Sequence, residues 1–96
     1  ILLLVNNEKF SSLLKNSEFI TEQSLVYKEE IKIIDLLLFK ENNYYIIDYK
    51  TTKEKLVEHT VQVAHYKKAI KDIFKTQNVF SYLIYLHPNE IFISEI

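Results

Sequence analysis

The sequence has no glycine, no cysteine, no arginine and no methionine. Without cysteine there is no disulfide, no thiolate zinc site, no iron-sulfur cluster and no cysteine nucleophile. Without glycine, neither of the glycine-rich loops that hold nucleotide phosphates can form. The chain is therefore excluded from thiol chemistry and from nucleotide binding through a P-loop or a dinucleotide fingerprint.

Methionine is missing even from the first position, where the chain starts with Ile1 and four further apolar residues. This apolar run is far too short for a signal peptide or a membrane span. We therefore expect no membrane segment and interpret the chain as the C-terminal fragment of a larger protein. With 96 residues, 48% of them apolar, residues 1–96 are expected to form a single folded domain.

Hydrophobic periodicity predicts two helices and five strands. The helices are expected over residues 2–16 and 57–76, the second with an apolar stripe of Val63, Tyr66, Ile70, Ile73 and Phe74. The strands are expected over 19–27, 31–39, 44–50, 79–86 and 91–95. This α-β-β-β-α-β-β order predicts an α/β (α+β) domain with a mixed sheet flanked by helices.

Aspartate is scarce, and its position is informative. Of three aspartates, Asp35 and Asp48 lie inside the two most apolar predicted strands. A short loop at residues 40–43, with asparagines that tolerate positive φ in place of glycine, predicts a hairpin in which partner numbers sum to about 83. The two carboxylates would then be cross-strand neighbours and would need a positive group between them. Oxygen-only ligands favour Mg²⁺ or Mn²⁺.

Lys50 follows Asp48 by two residues, so both side chains lie on one face of the strand. An ordinary ion pair is the alternative interpretation of this spacing. Gln62 and Tyr66 are four residues apart on the second helix and share one of its faces. Tyr66 as a plain core aromatic is likewise an open alternative.

These segments, IIDLL at 33–37, IIDYKT at 46–51 and QVAHY at 62–66, together resemble the RecB-type nuclease branch of the PD-(D/E)XK superfamily. Within it the chain is most similar to the C-terminal nuclease domain of AddA-like helicase-nucleases. The resemblance implies a restriction-endonuclease-like core and a metal-dependent DNA nuclease for exonuclease-type end processing. It further implies double-strand break repair and recombination in the bacterial cytoplasm.

The resemblance also implies roles for individual residues. Asp35 and Asp48 would bind Mg²⁺ or Mn²⁺, with the backbone carbonyl of Tyr49 as a further ligand. Lys50 would position the attacking water and offset charge in the transition state. Gln62 and Tyr66 would support the site and contact the DNA strand. The implied partners are single strands of DNA delivered by an attached helicase, and an AddB-like subunit.

The sequence departs from the family pattern in three places. Lys32 stands where a glycine is usual, and a lysine there can reach a phosphate. Ile47 replaces the proline that names the superfamily. Sites of this family normally recruit a histidine from a helix before the first strand, but no histidine precedes Asp35 here. Either that histidine lies upstream of Ile1 or the site is incomplete. Glu22 is the available upstream carboxylate and could orient a water at the metal, or it is simply a solvated strand residue.

Two other functions remain open for the same sequence. One is a non-catalytic docking or DNA-guiding domain of the same fold in a repair complex. The other is a stand-alone restriction or junction-resolving nuclease. The isolated fragment, lacking the histidine, is expected to bind metal weakly and cut poorly. Lys67, Lys71 and Lys75, four residues apart, form either a phosphate-binding stripe or a solvated helix face.

Overall fold

The structure is a computed structural model that describes residues 15, 17–51, 57–86 and 91–96. In this part the elements are β1 (Glu18–Tyr27), β2 (Glu30–Lys40), β3 (Asn43–Lys50), α1 (Val57–Phe74), β4 (Val79–Leu86) and β5 (Ile91–Glu95). Their order confirms the predicted β-β-β-α-β-β succession. The helix predicted over residues 2–16 lies outside the described residues, apart from Lys15.

The strands form one mixed sheet in the order β1-β2-β3-β4-β5. All neighbours are antiparallel except β3 and β4, which are parallel. A parallel pair needs a crossover connection, and α1 lies within it. The described part is thus a small α+β domain, as the sequence predicts at the level of class. The described helix α1 does not combine the length and apolar character needed to cross a membrane.

The β1–β2 and β2–β3 hairpins turn without glycine. Lys28 and Glu29 form one two-residue loop, and Glu41 and Asn42 form the other. All four residues have positive φ, between 50° and 65°. The expectation that asparagine takes this conformation is confirmed at Asn42, but the three other residues adopt it as well, at a conformational cost that glycine would not have.

The central strands carry buried residues on both faces of the sheet, as the apolar run of β2 predicts, whereas β1 and the start of β2 are largely exposed. On the face covered by α1, the helix contributes Val63, Tyr66, Ala69 and Ile70 as buried residues. The opposite face carries a cluster of Leu36, Leu38, Ile47 and Ile84.

The predicted apolar stripe of α1 is buried at Val63, Tyr66 and Ile70 but partly exposed at its C-terminal end. Ile73 and Phe74 are 44% and 47% exposed, whereas Ala69 is buried in the stripe. Phe74 reaches only the rim of the sheet, where its ring stacks on Tyr44 at 4.7 Å. Periodicity shows which residues share a helix face, but it does not show how much of that face the sheet buries.

Candidate active site

The predicted hairpin register is confirmed, and it brings Asp35 and Asp48 together. The residue numbers of each β2–β3 pair sum to 83, and the ladder runs from Lys40↔Asn43 to Leu36↔Ile47. Asp35 and Asp48 occupy the next position of this register. Burial raises the pKa of the Tyr66 phenol on α1, and charge on Asp48 and Asp35 raises it further. Asp48 lies on the face covered by α1, because its ion-pair partner Lys50 donates a hydrogen bond to Gln62 of that helix.

Asp48 is a buried carboxylate, 4% exposed. Its Oδ2 lies 3.1 Å from Lys50 Nζ, which makes an ion pair of the two side chains. The geometry is not that of a hydrogen bond, and this buried oxygen accepts none within the described residues. Burial raises the pKa of Asp48, the Asp35 carboxylate raises it further, and Lys50 opposes both effects.

Asp35 is held by the backbone of the neighbouring strand. Its Oδ2 accepts a 2.9 Å hydrogen bond from the backbone N–H of Tyr49. The backbone ladder between β2 and β3 ends at Leu36↔Ile47, so the carboxylate takes over a donor beyond the last ladder pair. The Tyr49 side chain packs on the opposite face of the sheet. Only the backbone of Tyr49 is therefore available to the site.

Lys50 connects the strand residues to the helix. Its Nζ donates a 2.8 Å hydrogen bond to Gln62 Oε1. Gln62 Nε2 in turn donates to the Tyr66 hydroxyl at 2.9 Å. A continuous polar chain thus runs from Asp48 through Lys50 and Gln62 to Tyr66, with both ends of the Gln62 amide used.

Tyr66 combines the two interpretations that the sequence left open. Its ring is buried in a core cluster with Ile34, Leu37, Ile46 and Ile70. Its hydroxyl faces the polar chain and accepts from Gln62. The residue is therefore both a core aromatic and the far end of the candidate site.

Glu22 lies beside the site in the sheet but does not join it. The flanking pairs Thr21↔Leu36 and Gln23↔Ile34 put Glu22 opposite Asp35, in line with Asp48 on the third strand. Glu22 itself has a φ of 50° and makes no ladder pair. Across the described ranges, no three acidic or histidine side chains converge on one point. The structure thus brings together Asp35, Asp48, Lys50, Gln62 and Tyr66, and leaves Glu22 exposed.

The donor set fits a hard divalent cation. Mg²⁺ in proteins is commonly bound through one or two carboxylates, and it completes its shell with waters and substrate phosphate. Asp35 and Asp48 supply two carboxylates from adjacent strands. The buried Oδ2 of Asp48, which accepts no hydrogen bond from the described part of the chain, is an acceptor that a cation would satisfy.

The predicted lysine stripe on α1 is not a uniform face. Lys67 Nζ donates to the carbonyl oxygen of Ile96 at 3.1 Å, and Ser81 Oγ donates to the same oxygen. Lys67 is thus occupied in joining α1 to the residue after β5. The two histidines of α1 also separate, since His59 contacts the Tyr85 hydroxyl at 3.1 Å and His65 lies farther along the helix.

The sequence did not identify Lys28 and Lys68 as neighbours of the candidate site. Both line a small cavity with Lys32 and His65. These lining residues come from the β1–β2 turn, β2 and α1. Neither Lys28 nor Lys68 belongs to a sequence spacing that would have identified it.

The comparisons with known proteins bear on the fold alone. No protein-family model matches the chain. No curated protein matches it either. Among solved structures, the crystal structure of SSO0001 is similar, with a TM-score of 0.60, 21% sequence identity and coverage of 90% of this chain. The matched region spans 45% of SSO0001, so the chain covers less than half the length of that neighbour.

Proposed function

We propose that this chain is a metal-dependent DNA nuclease domain with a restriction-endonuclease-like core. The observation that carries the proposal is the polar chain from Asp48 through Lys50 to Gln62, with the second strand aspartate, Asp35, beside Asp48. Asp48 supplies a buried oxygen beside Lys50, and Asp35 is fixed by the backbone of β3. A buried carboxylate is costly unless it is paired, hydrogen-bonded or bound to a metal, and the Asp48 oxygen that accepts no hydrogen bond from the described residues supports a functional interpretation.

The residues divide the hydrolysis of a phosphodiester between them. Asp35 and Asp48 would hold the divalent cation, with the carbonyl of Tyr49 as a further ligand. The cation, when bound, polarises the scissile phosphate and makes a nearby water more acidic. Lys50 orients the attacking water and offsets the charge that develops on the phosphate oxygens. Gln62 fixes the Lys50 ammonium through its 2.8 Å hydrogen bond, and Tyr66 fixes Gln62.

The wider setting follows from the resemblance of the three sequence segments. We propose that the domain belongs to a RecB- or AddA-like helicase-nuclease of the bacterial cytoplasm, which acts in double-strand break repair and recombination. Its substrate would be single strands delivered by the attached helicase, with an AddB-like subunit as partner. The three-stranded antiparallel unit followed by a crossover helix and a parallel strand supports the proposed core.

A non-catalytic domain that guides DNA is the second candidate. One observation favours it: the described residues do not bring a third acidic or histidine side chain to the two aspartates. A guiding domain would keep the fold and the DNA contacts without cleaving.

Cleavage of a 5′-labelled oligonucleotide in Mn²⁺ or Mg²⁺ distinguishes the two candidates. We expect Asp48→Asn and Lys50→Ala to lower the cleavage rate by about 10²- to 10³-fold, the usual loss when a group that stabilises the transition state is removed. Lys71→Ala, a lysine change elsewhere on α1, is the matched control and should keep the parent rate. Equal cleavage by the parent chain and Lys50→Ala, or none by either, would refute the catalytic proposal.

A further inference from the structure

A groove runs beside the candidate site between β2 and α1. Its first part has a volume of about 560 Å³ and is lined by Lys32, Gln62 and Tyr66, with exposed apolar side chains around them. An adjoining part of about 180 Å³ is lined by Tyr27, Lys28, Glu30, Lys32, His65 and Lys68. Lys32 lines both parts. We call the two together the lysine groove.

The lysine groove is continuous with the candidate site. Gln62 and Tyr66, which line it, are the helix members of the polar chain that begins at Asp48. Lys32 is three residues from Asp35 on the same strand, which corresponds to about 10 Å between their Cα atoms. A polymer with a phosphate at the aspartates would therefore place a neighbouring phosphate within reach of Lys32.

The charges of the groove suit a polyanion at its far end. Lys28 and Lys68 have no ion-pair partner among the residues that the structure describes, and Lys28 Nζ lies 5.4 Å from the centre of the Tyr27 ring. Lys32 is different, because its Nζ is 3.1 Å from Glu30 Oε2. The Lys32 side chain is 15% exposed and that of Glu30 is 71% exposed. Glu58 adds a second carboxylate at the opposite end of the groove.

The groove also presents apolar surface to solvent. Ile31 and Val61 line its first part and are largely exposed, at 76% and 49%. Lysines beside flat apolar surface match a single nucleic-acid strand, whose phosphates are anionic and whose unpaired bases have apolar faces.

We propose that the lysine groove binds the nucleic-acid strand next to the scissile phosphate, with Lys32 as its central phosphate contact. The inference rests on the proposed function and adds a named path for the substrate. In the free protein the Glu30 carboxylate forms an ion pair with the Lys32 ammonium, and on binding a phosphate takes the place of the carboxylate. Glu30 therefore opposes binding, whereas Lys28, Lys32 and Lys68 favour it.

The opposite effects of Lys32 and Glu30 give the test. A fluorescein-labelled oligo(dT) is titrated with the 96-residue chain in EDTA, where cleavage is absent, at several salt concentrations. We expect Lys32→Gln to weaken binding and to lower the slope of log K against log salt by about 0.7, the contribution of one phosphate contact to a single strand. Glu30→Gln should bind more tightly than the parent. Lys71→Gln, with the same charge change outside the groove, should leave the slope unchanged.

Several outcomes would overturn the inference. They are an unchanged slope for Lys32→Gln, weaker binding by Glu30→Gln, an equal loss for Lys71→Gln, or no binding by the parent chain. If Lys32→Gln fails to fold, Lys28→Gln and Lys68→Gln provide the same measurement at exposed positions. Asp48→Asn separates the two proposals, because it is expected to lose cleavage while binding to the groove is measured in the absence of cleavage. If the chains bind oligo(dT) in the groove but none of them cleaves DNA, the nuclease proposal is refuted. If the parent chain cleaves DNA without binding in the groove, only the groove proposal is refuted.

Discussion

Asp48 shows how the site and the stability of the chain oppose each other. The folded protein holds this carboxyl at a raised pKa, chiefly because it is buried. Between the ordinary pKa of an aspartate, about 3.9, and the raised value, the folded state binds more protons than the unfolded state. The free energy of unfolding must therefore fall as pH rises through this window. A residue selected only for stability would not be an aspartate here.

We predict that Asp48→Asn unfolds at a higher temperature than the parent chain at pH 7 in metal-free buffer. The amide carries no charge to bury, so the variant should lose less stability as the pH rises above about 4. Thermal unfolding followed by circular dichroism between pH 4 and 8 measures both effects. Glu58→Gln, an exposed carboxyl on α1, is the matched control. A lower melting temperature for Asp48→Asn at neutral pH would contradict the account.

Tyr66 allows packing and site function to be separated. Tyr66→Phe keeps the buried ring but leaves Gln62 Nε2 without its partner hydroxyl. We expect a loss of about 1 kcal/mol in the free energy of unfolding, typical of one hydrogen bond, together with slower cleavage. Tyr66→Ala should cost about 3 to 5 kcal/mol because it also removes the ring. Urea unfolding and the cleavage assay measure the two effects. Parent-like cleavage by Tyr66→Phe would leave the residue with a core role alone.

At the scale of the elements, the hairpins show what the sequence can predict. A short polar loop between two apolar runs predicts the β2–β3 register, which the ladder confirms as far as Leu36↔Ile47, the pair next to Asp35 and Asp48. Glu22 could not be excluded in the same way, because its backbone conformation depends on its neighbours in the sheet. The groups that meet across long separations, such as Lys67 and the Ile96 carbonyl, had no local pattern to reveal them.

The β1–β2 turn gives a prediction at this scale. Glu29 has a φ of 65°, where a Cβ atom is unfavourable. Glu29→Gly should raise the free energy of unfolding by roughly 0.5 to 1 kcal/mol relative to Glu29→Ala, because both remove the side chain and only glycine removes Cβ. Urea unfolding of the two variants is the measurement. Equal stability would mean that the turn relaxes to another conformation.

At the scale of the whole molecule, the candidate site lies between the sheet and α1. β2 and β3 each contribute one aspartate to it, and α1 contributes Gln62 and Tyr66. Fold similarity to SSO0001 extends over 90% of the chain, while the matched region is less than half of that protein. The fold of the sheet and α1 therefore recurs within a larger protein, and under our proposal the lysine groove would lead a polymer substrate to the two aspartates.

The binding of a divalent cation by Asp35 and Asp48 is the central claim. Isothermal titration of the 96-residue chain with MnCl₂ at pH 7 tests it most directly, with Asp48→Asn as the site variant and Glu58→Gln as the control. We expect saturable heat at one site for the parent chain and the control, and its loss in Asp48→Asn. Equal heats from the parent chain and Asp48→Asn would contradict the account.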